Sequence, residues 1–391
     1  MEKITKIRER AFSLAQQIID KTGPRLAGTD SANKSALLLK NEIDSFADKS
    51  KIEEFFIYQG AFLGWIKILV VSFVLAVGFL WFDLPIISII LALLSILILV
   101  LQFFFYLPII DRLYPKKKAS NVVGYVEPKN EAKKQIIISG HHDSARVFNF
   151  FIHQPKLYNL RVTGSIAYVL MMCLVPILLI FIHNDIVNLI IKIILSSGLI
   201  LIVQMWFFAS KKGTPGAGDN LIASTMALEI SRYFSENRLE DTRIIFTSFD
   251  AEEEGLRGAR AFAKLHEKEL KELPTYLLNT DCAYNLDDLF FLTSDINGTV
   301  KLDEDLANTL VNISIANGYK AVSKPIAFLT GGTDAGELAK IGVKSTTLIG
   351  MPWSNEKRAS VYHTENDTLD HVQKEIIDAA ITIFIQYIEK N

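Results

Sequence analysis

Phe249-Asp250-Ala251-Glu252-Glu253-Glu254-Gly255-Leu256-Arg257-Gly258 follows an apolar run, Arg243-Ile244-Ile245-Phe246-Thr247-Ser248-Phe249. The run reads as a buried strand, and the residues after it, Ala259–Leu270, read as a helix. Three consecutive acids therefore fall at the C-terminal end of a strand, where open α/β sheets place their ligands. Adjacent carboxylates repel one another. A solvated charge run relieves the repulsion by pointing outward, and a site for divalent cations relieves it by recruiting them. The other acids and histidines of the chain discriminate between the two.

The chain has 391 residues, of which 50% are apolar and 21% charged. That is too apolar for an ordinary soluble protein and too charged for a pure membrane bundle, so a mixture of the two is expected. A net charge of −2 leaves no footprint for nucleic acid. Two cysteines, Cys173 and Cys282, suggest no disulfide framework. The apolar residues concentrate in two blocks. Ala61–Phe82 and Ile86–Ile110 are separated by Asp83-Leu84-Pro85, and Thr163–Ile182 and Ile186–Phe208 by His183-Asn184-Asp185. Crossing a bilayer takes ~20 apolar residues. Two transmembrane hairpins, over 61–110 and 161–208, are predicted, with the lipid bilayer as a partner. Arg112, Lys116, Lys117, Lys118, Arg161, Lys211 and Lys212 flank the spans on one side, and the connecting turns carry no Lys or Arg. The positive-inside rule then predicts a multi-pass protein whose catalytic domain is cytoplasmic.

Outside those blocks, strands and helices alternate. Lys3–Lys21 has helical periodicity, and Asp30 and Ser31 can cap a second helix to about Phe46. Ile52–Tyr58, Asn121–Val126, Gln135–Gly140, Thr275–Asn279 and Ser345–Ile349 read as further strands. Leu221–Phe234 and Leu369–Glu389 read as further helices. The short Pro128–Lys134 connection predicts an antiparallel hairpin between two of these strands. The pattern predicts an α/β fold, a three-layer sandwich around a mixed, mostly parallel sheet, built from 1–60, 111–160 and 209–391 as one discontinuous domain. The first two pieces are too short to bury a core alone.

Acids and histidines recur after the strands or at helix starts: His141-x-Asp143, Asp219-Asn220, Glu252-Glu253 and Asp281, with His363 in a polar loop. Singly each has an ordinary explanation. Asp219 serves as an N-cap, Asp281 as a turn residue, and His141-x-Asp143 or His363 as exposed loop. Their joint occurrence at strand ends is hard to obtain from capping and solvation. Imidazole and carboxylate suit zinc, with cobalt and manganese as competitors. One aspartate can bridge two ions, each taking one histidine and one further carboxylate. Two ions ~3.5–4 Å apart would share a hydroxide and polarise a carbonyl. A carboxylate beside a ligand can accept the water's proton, and Asp143 is placed to orient an imidazole N–H.

His-x-Asp, Gly-x-x-Asp-Asn before a helix, Glu-Glu-x-Gly-Leu-x-Gly, Asp after a strand and a late Tyr-His-Thr-x-x-Asp-Thr occur here in that order. With the N-terminal Gly23-Pro24-Arg25-Leu26-Ala27-Gly28-Thr29, they resemble the co-catalytic di-zinc aminopeptidases of metallopeptidase clan MH, family twenty-eight. The two hydrophobic hairpins have no counterpart in that resemblance. It implies two zinc ions held by His141, Asp219, Glu253, Asp281 and His363, with Asp219 as the bridge and His141 and Asp281 on opposite metals. It makes Glu252 the general base and Asp143 the clamp on the His141 ring, and gives neither His142 nor Glu254 a role. It further implies substrate contacts from Gly332, Asp334 and Tyr362, although Gly331-Gly332-Thr333-Asp334 also reads as a turn capping a helix over Ala335–Lys340. As in the resembling enzymes, a cis Asp219–Asn220 bond is expected. The implied function is a membrane-embedded zinc exopeptidase, an aminopeptidase acting on short peptides. Two alternatives are a non-catalytic receptor of the same fold and a hydrolase or acyltransferase for a non-peptide amide. Strand direction further predicts that both hairpins leave the domain from the rim of the cleft, so that the cleft opens toward the bilayer.

Overall fold

A computed structural model describes residues 2–390. The chain forms two compact units, one of Met1–Gln59, Lys116–Val147 and Lys211–Asn391, the other of Gly60–Pro115 and Phe148–Ser210.

The strands in chain order are β1 (Lys49–Tyr58), β2 (Lys116–Val126), β3 (Lys134–His141), β4 (Arg146–Phe148), β5 (Ala209–Gly213), β6 (Thr242–Phe249), β7 (Thr275–Ala283), β8 (Leu289–Asp295), β9 (Val300–Lys301), β10 (Val322–Pro325) and β11 (Lys344–Gly350). Nine of them form the sheet of the first unit in the order β1-β2-β6-β3-β7-β11-β8-β10, with β9 on β8, and β4 pairs with β5 in a separate ribbon. The centre, β6-β3-β7-β11, is parallel, and β2 and β8 join it antiparallel. A parallel sheet is covered on both faces, so its strands are apolar throughout. Ile136, Ile137 and Ile138 of β3 and Ile245 and Phe246 of β6 are fully buried. The helices Glu2–Thr22, Ile222–Glu236 and Lys374–Lys390 contribute to the same core through Ile18, Met226, Ile230, Ile381 and Phe384.

The expected hairpin between the second and third strands is corrected. β6 lies between them, antiparallel to β2 and parallel to β3. The central run Ile244–Phe249 is apolar on both faces and needs neighbours on both edges. β2 and β3 still run in opposite directions. β2 also begins five residues earlier than expected from Asn121, at Lys116, because Lys116, Lys117 and Lys118 extend the ladder onto Tyr58, Ile57 and Phe56 of β1. Backbone pairing there does not require apolar side chains.

The register sets the site's position. Val122 of β2 pairs with Ser248 of β6, so the start of β2 and the end of β1 lie beyond the C-terminal end of β6. The chain thus leaves the first unit after β1 and re-enters at β2 on the edge where β3 and β6 end. It leaves again after Val147, six residues past His141, and re-enters at Lys211, eight residues before Asp219.

The second unit holds four helices long and apolar enough to cross a membrane: Gly64–Trp81, Pro85–Phe104, Pro155–Phe181 and Asp185–Phe207. The second closes with a π-turn over Val100–Phe104 and ends before Pro108 instead of reaching Ile110. The third is interrupted at Val175-Pro176-Ile177, where proline has no N–H for the helical ladder. Phe73, Ala76, Leu80, Met172, Leu195 and Ile202 form this unit's own core. The Ser88 hydroxyl donates to the Ala76 carbonyl at 2.7 Å, tying the first two helices together.

Candidate metal centre

His141 is the last residue of β3, Glu252 and Glu253 follow β6, and Asp281 lies near the end of β7. Parallel strands bring these ends to one edge. Asp219 arrives from the turn before the helix Ile222–Glu236 and His363 from the loop after β11. The Asn220 amide donates to the Thr280 carbonyl at 2.8 Å, which ties the Asp219 turn to the end of β7. The Asp219–Asn220 peptide bond is cis, as expected.

Asp219 stands between the two histidines. Its Oδ1 lies 3.3 Å from His141 Nε2 and its Oδ2 lies 3.2 Å from His363 Nε2. Asp281 Oδ1 is 3.9 Å from His141 Nε2, and Glu253 Oε1 is 3.3 Å from His363 Nε2. The expectation that His141 and Asp281 serve opposite ions is therefore corrected. Asp281 shares the His141 side of Asp219, and Glu253 shares the His363 side. β3 is flanked by both β6 and β7, so strand order alone does not separate the two acids; the loop after β11 does, by bringing His363 to Glu253.

Asp143 holds both halves of the arrangement. Its Oδ1 is 3.2 Å from His141 Nδ1, and its two oxygens accept the backbone N–H groups of Glu252 and Glu253, each at 3.2 Å. The turn itself closes through Gly255 N and Leu256 N donating to the Glu252 carbonyl at 2.8 Å. Gly258 is obligatory, since a Cβ there would meet the Asp250 carbonyl oxygen at 2.0 Å. His142 turns away from this cluster, with its Nδ1 2.8 Å from Ser248 Oγ. Burial pushes its pKa down to about 3.

The donors are starved of positive charge. Burial pushes Glu252 well above the usual carboxylate range, and neighbouring Glu253, Asp281 and Asp334 add to this against His141. Asp281 is pushed up to about 7, chiefly by burial. Burial also raises Asp219, but the neighbouring His141 and His363 imidazoles outweigh that and hold it below the usual range. Burial works against a charged His363, and Glu253 and Asp219 carry it up to about 9 nonetheless. His141 Nε2, Asp219 Oδ2 and Asp281 Oδ1 are buried without a hydrogen-bond partner. Buried polar atoms are normally satisfied, so these aim at something else. His141, Asp219 and Glu253 bring one ligand atom each within 4.8 Å of one another, as do His141, Glu252 and Asp281. A nitrogen-and-oxygen donor set of this kind suits zinc.

Asp334 feels the charges of His141 and Asp281, and Tyr362 those of Asp219 and Glu253, whereas Gly332 packs on Ile296. Asp295 holds the loop of Gly332 and Asp334, accepting Thr333 N at 2.8 Å and the Thr333 hydroxyl at 2.6 Å. Asp334 is fully buried with neither carboxylate oxygen hydrogen-bonded. Tyr362 stacks on the His363 ring, with centroids 3.9 Å apart.

Two supports carried no role in the sequence reading. Arg25 is fully buried and donates to the carbonyls of His142 at 2.8 Å, Pro215 at 2.9 Å and Gly216 at 2.7 Å, so one guanidinium joins the His141 and Asp219 loops. Asp367 accepts Gly218 N at 2.8 Å. The signals were present in the Gly-Pro-Arg-Leu segment and in the aspartate four residues after His363.

The mixed sheet with its helices is an α/β fold like that of solved zinc aminopeptidases. Residues 195–388 match Peptidase family M28, and the chain resembles the zinc aminopeptidases of that family. Aminopeptidase YwaD of Bacillus subtilis (strain 168) is 30% identical over 178 residues, which span 43% of this chain and 36% of that relative. A Zn-dependent exopeptidase from Parabacteroides distasonis ATCC 8503 superposes with a TM-score of 0.58 at 14% identity, covering 98% of each chain. A glutaminyl cyclase from Fimbriiglobus ruber gives a TM-score of 0.58 at 15% identity, covering 98% of this chain and 95% of that one. The fold thus accommodates more than one reaction, and the residues of the site must choose between them.

Proposed function

We propose that this chain is a membrane-embedded zinc exopeptidase, an aminopeptidase that releases residues from short peptides. The observation that carries the reading is the Asp219 carboxylate with a histidine 3.3 Å from one oxygen and 3.2 Å from the other. His141 and Asp281 would hold one zinc ion, Glu253 and His363 the other, and Asp219 both. Two bound ions would supply Lewis acidity toward a carbonyl and make a bound water more acidic. Glu252 takes the proton of the attacking water and delivers it to the leaving amine nitrogen. The charges of Glu253, Asp281 and Asp334 help to raise it toward a base that can also act as an acid. Asp143 keeps the His141 ring and the Glu252-Glu253 turn in register. Asp334, Gly332 and Tyr362 form the substrate side, where a buried carboxylate suits the ammonium group of a peptide N-terminus.

Four helices of sufficient length and hydropathy, with Ile90, Leu94, Ile190 and Ile200 about half exposed or more, support a bilayer as the solvent of the second unit. Both hydrophobic insertions are tethered at the edge of the sheet that carries the site, which supports substrates generated near the membrane. The basic flanks of the spans support a cytoplasmic side for the site.

Metal analysis of the purified protein tests the centre. About two zinc ions per chain are expected, and Asp219→Ala should lose both. No bound metal would favour a non-catalytic scaffold. Incubation with a mixed peptide library tests the reaction: residues should leave from the N-terminus. Release from the C-terminus, or cyclisation of N-terminal glutamine without release, would replace the aminopeptidase reading.

A further inference from the structure

Cys282 follows the proposed ligand Asp281 on β7. In a regular strand adjacent side chains point to opposite faces, which would turn Cys282 away from the metals. The strand is not regular there. Ile349 of β11 opposes Asp281, and Gly350 opposes Ala283, so Cys282 is the extra residue of a β-bulge. Bulges re-aim side chains beside functional sites. Its φ is +50°, in the left-handed region that favours glycine, yet the residue carries a thiol. The result is that Cys282 Sγ and one carboxylate oxygen each from Asp219 and Asp281 all lie within 4.8 Å of one another. All three residues are buried, at 5%, 2% and 5% exposure. Asp219 Oδ2 and Asp281 Oδ1 have no hydrogen-bond partner. The other cysteine, Cys173, belongs to the helical unit, and both are free thiols.

We propose that Cys282 is a further metal donor, binding as a thiolate to an ion that Asp219 and Asp281 hold. The inference rests on the metal reading of the site and adds a ligand to it. On binding, the Sγ–H bond breaks, the proton leaves to solvent and a sulfur–metal bond forms, with no change of oxidation state. The two ions then differ. The ion on the Asp281 side gains a soft donor, which favours retention of its metal. The His363 ion has Asp219, Glu253 and His363, and keeps a position open for water.

Cobalt(II) reports a sulfur ligand by thiolate-to-metal charge-transfer absorption in the near ultraviolet. The full-length protein is stripped of metal and titrated with cobalt(II), with bound metal counted by elemental analysis. Wild type and Cys173→Ser should develop the band as the tighter site fills. Cys282→Ser and Cys282→Gly should bind cobalt without it, and their affinity for the tighter ion should fall by at least about tenfold. The glycine variant suits the left-handed backbone and so guards against misfolding of the serine variant. Wild type that binds cobalt without the band, or a band that survives Cys282→Gly, would overturn the assignment of Cys282 and leave the metal centre standing. Wild type that binds no cobalt by elemental analysis would overturn the metal centre and this ligand with it.

Discussion

Ile137 in β3 and Ile90 in the second apolar helix both sit in long apolar runs, yet Ile137 is fully buried and Ile90 is 50% exposed. The same contrast runs through the two units. The sheet unit buries its apolar residues against other apolar residues and gathers acids and histidines at the C-terminal edge of its parallel strands. The helical unit keeps a narrow core around Phe73 and Met172 and turns Leu94, Ile193 and Phe207 outward. Charge is distributed in the opposite sense. The sheet unit holds buried carboxylates where ions can satisfy them. The helical unit keeps Asp83 at a turn, where it meets Lys192 at 2.5 Å. One chain therefore carries two kinds of apolar surface: the first unit turns it inward, and the second leaves it on the outside, where the proposed bilayer would cover it.

The sharpest way to isolate the charged edge is Glu252→Gln. The amide keeps the shape but cannot take the proton, so turnover should fall by about 10²–10⁴-fold while bound metal stays unchanged. Near-normal turnover would remove Glu252 from the proton-transfer role. Next in size, Ile137→Ala should cost the sheet unit about 2–5 kcal/mol in denaturant unfolding, the usual penalty for emptying a packed core position. A smaller loss would mean that β3 repacks. Leu94→Arg tests the other side of the contrast, because Leu94 is central in Pro85–Phe104 and a charge at the centre of a spanning helix costs about 2.5–3.5 kcal/mol of insertion. Leu265→Arg is its partner, on a residue 63% exposed in the sheet unit, where surface changes stay within about 0.5 kcal/mol. Equal recovery of the two variants in the membrane fraction would dissolve the distinction between the two exteriors.

The smallest expected effect concerns a buried ion pair away from the site. His266 Nε2 lies 2.7 Å from Glu53 Oε1, and its Nδ1 lies 2.7 Å from Glu269 Oε2. Burial works against the charged imidazole, and hydrogen bonds to Glu269 and Glu53 raise its pKa nonetheless. Burial raises Glu53, and His266 and Lys51 pull it below the usual range. The raised histidine contributes stability that is complete below the unfolded value of about 6.5 and is lost as pH rises through the folded value. The lowered glutamate contributes stability that is complete above its unfolded value of about 4.3 and is lost as pH falls through the folded one. The pair should therefore stabilise most between about pH 4.3 and 6.5. His266→Asn should lower Tm most inside that window and flatten its fall on either side, measured as Tm against pH.

The sequence alone determined what depends on neighbours along the chain. The length of the apolar runs, the strand before Glu252, and the spacing of His141 to Asp143 were legible because hydrophobic periodicity and short motifs are local. Only the tertiary structure decided what depends on partners far away. β6 entered between β2 and β3 because an apolar central strand must be paired on both edges, which the short Pro128–Lys134 connection does not reveal. Glu253 fell on the far side of Asp219 from Asp281 because the loop after β11 brings His363 to it. Arg25 became a brace because carbonyls almost two hundred residues away, at Pro215 and Gly216, converge on one buried cation. Cys282 turned toward the acids because β11 skips a residue opposite it. Each of these is a question of which backbone and side-chain groups satisfy one another in three dimensions, and a linear pattern carries that only where the partners are close in sequence.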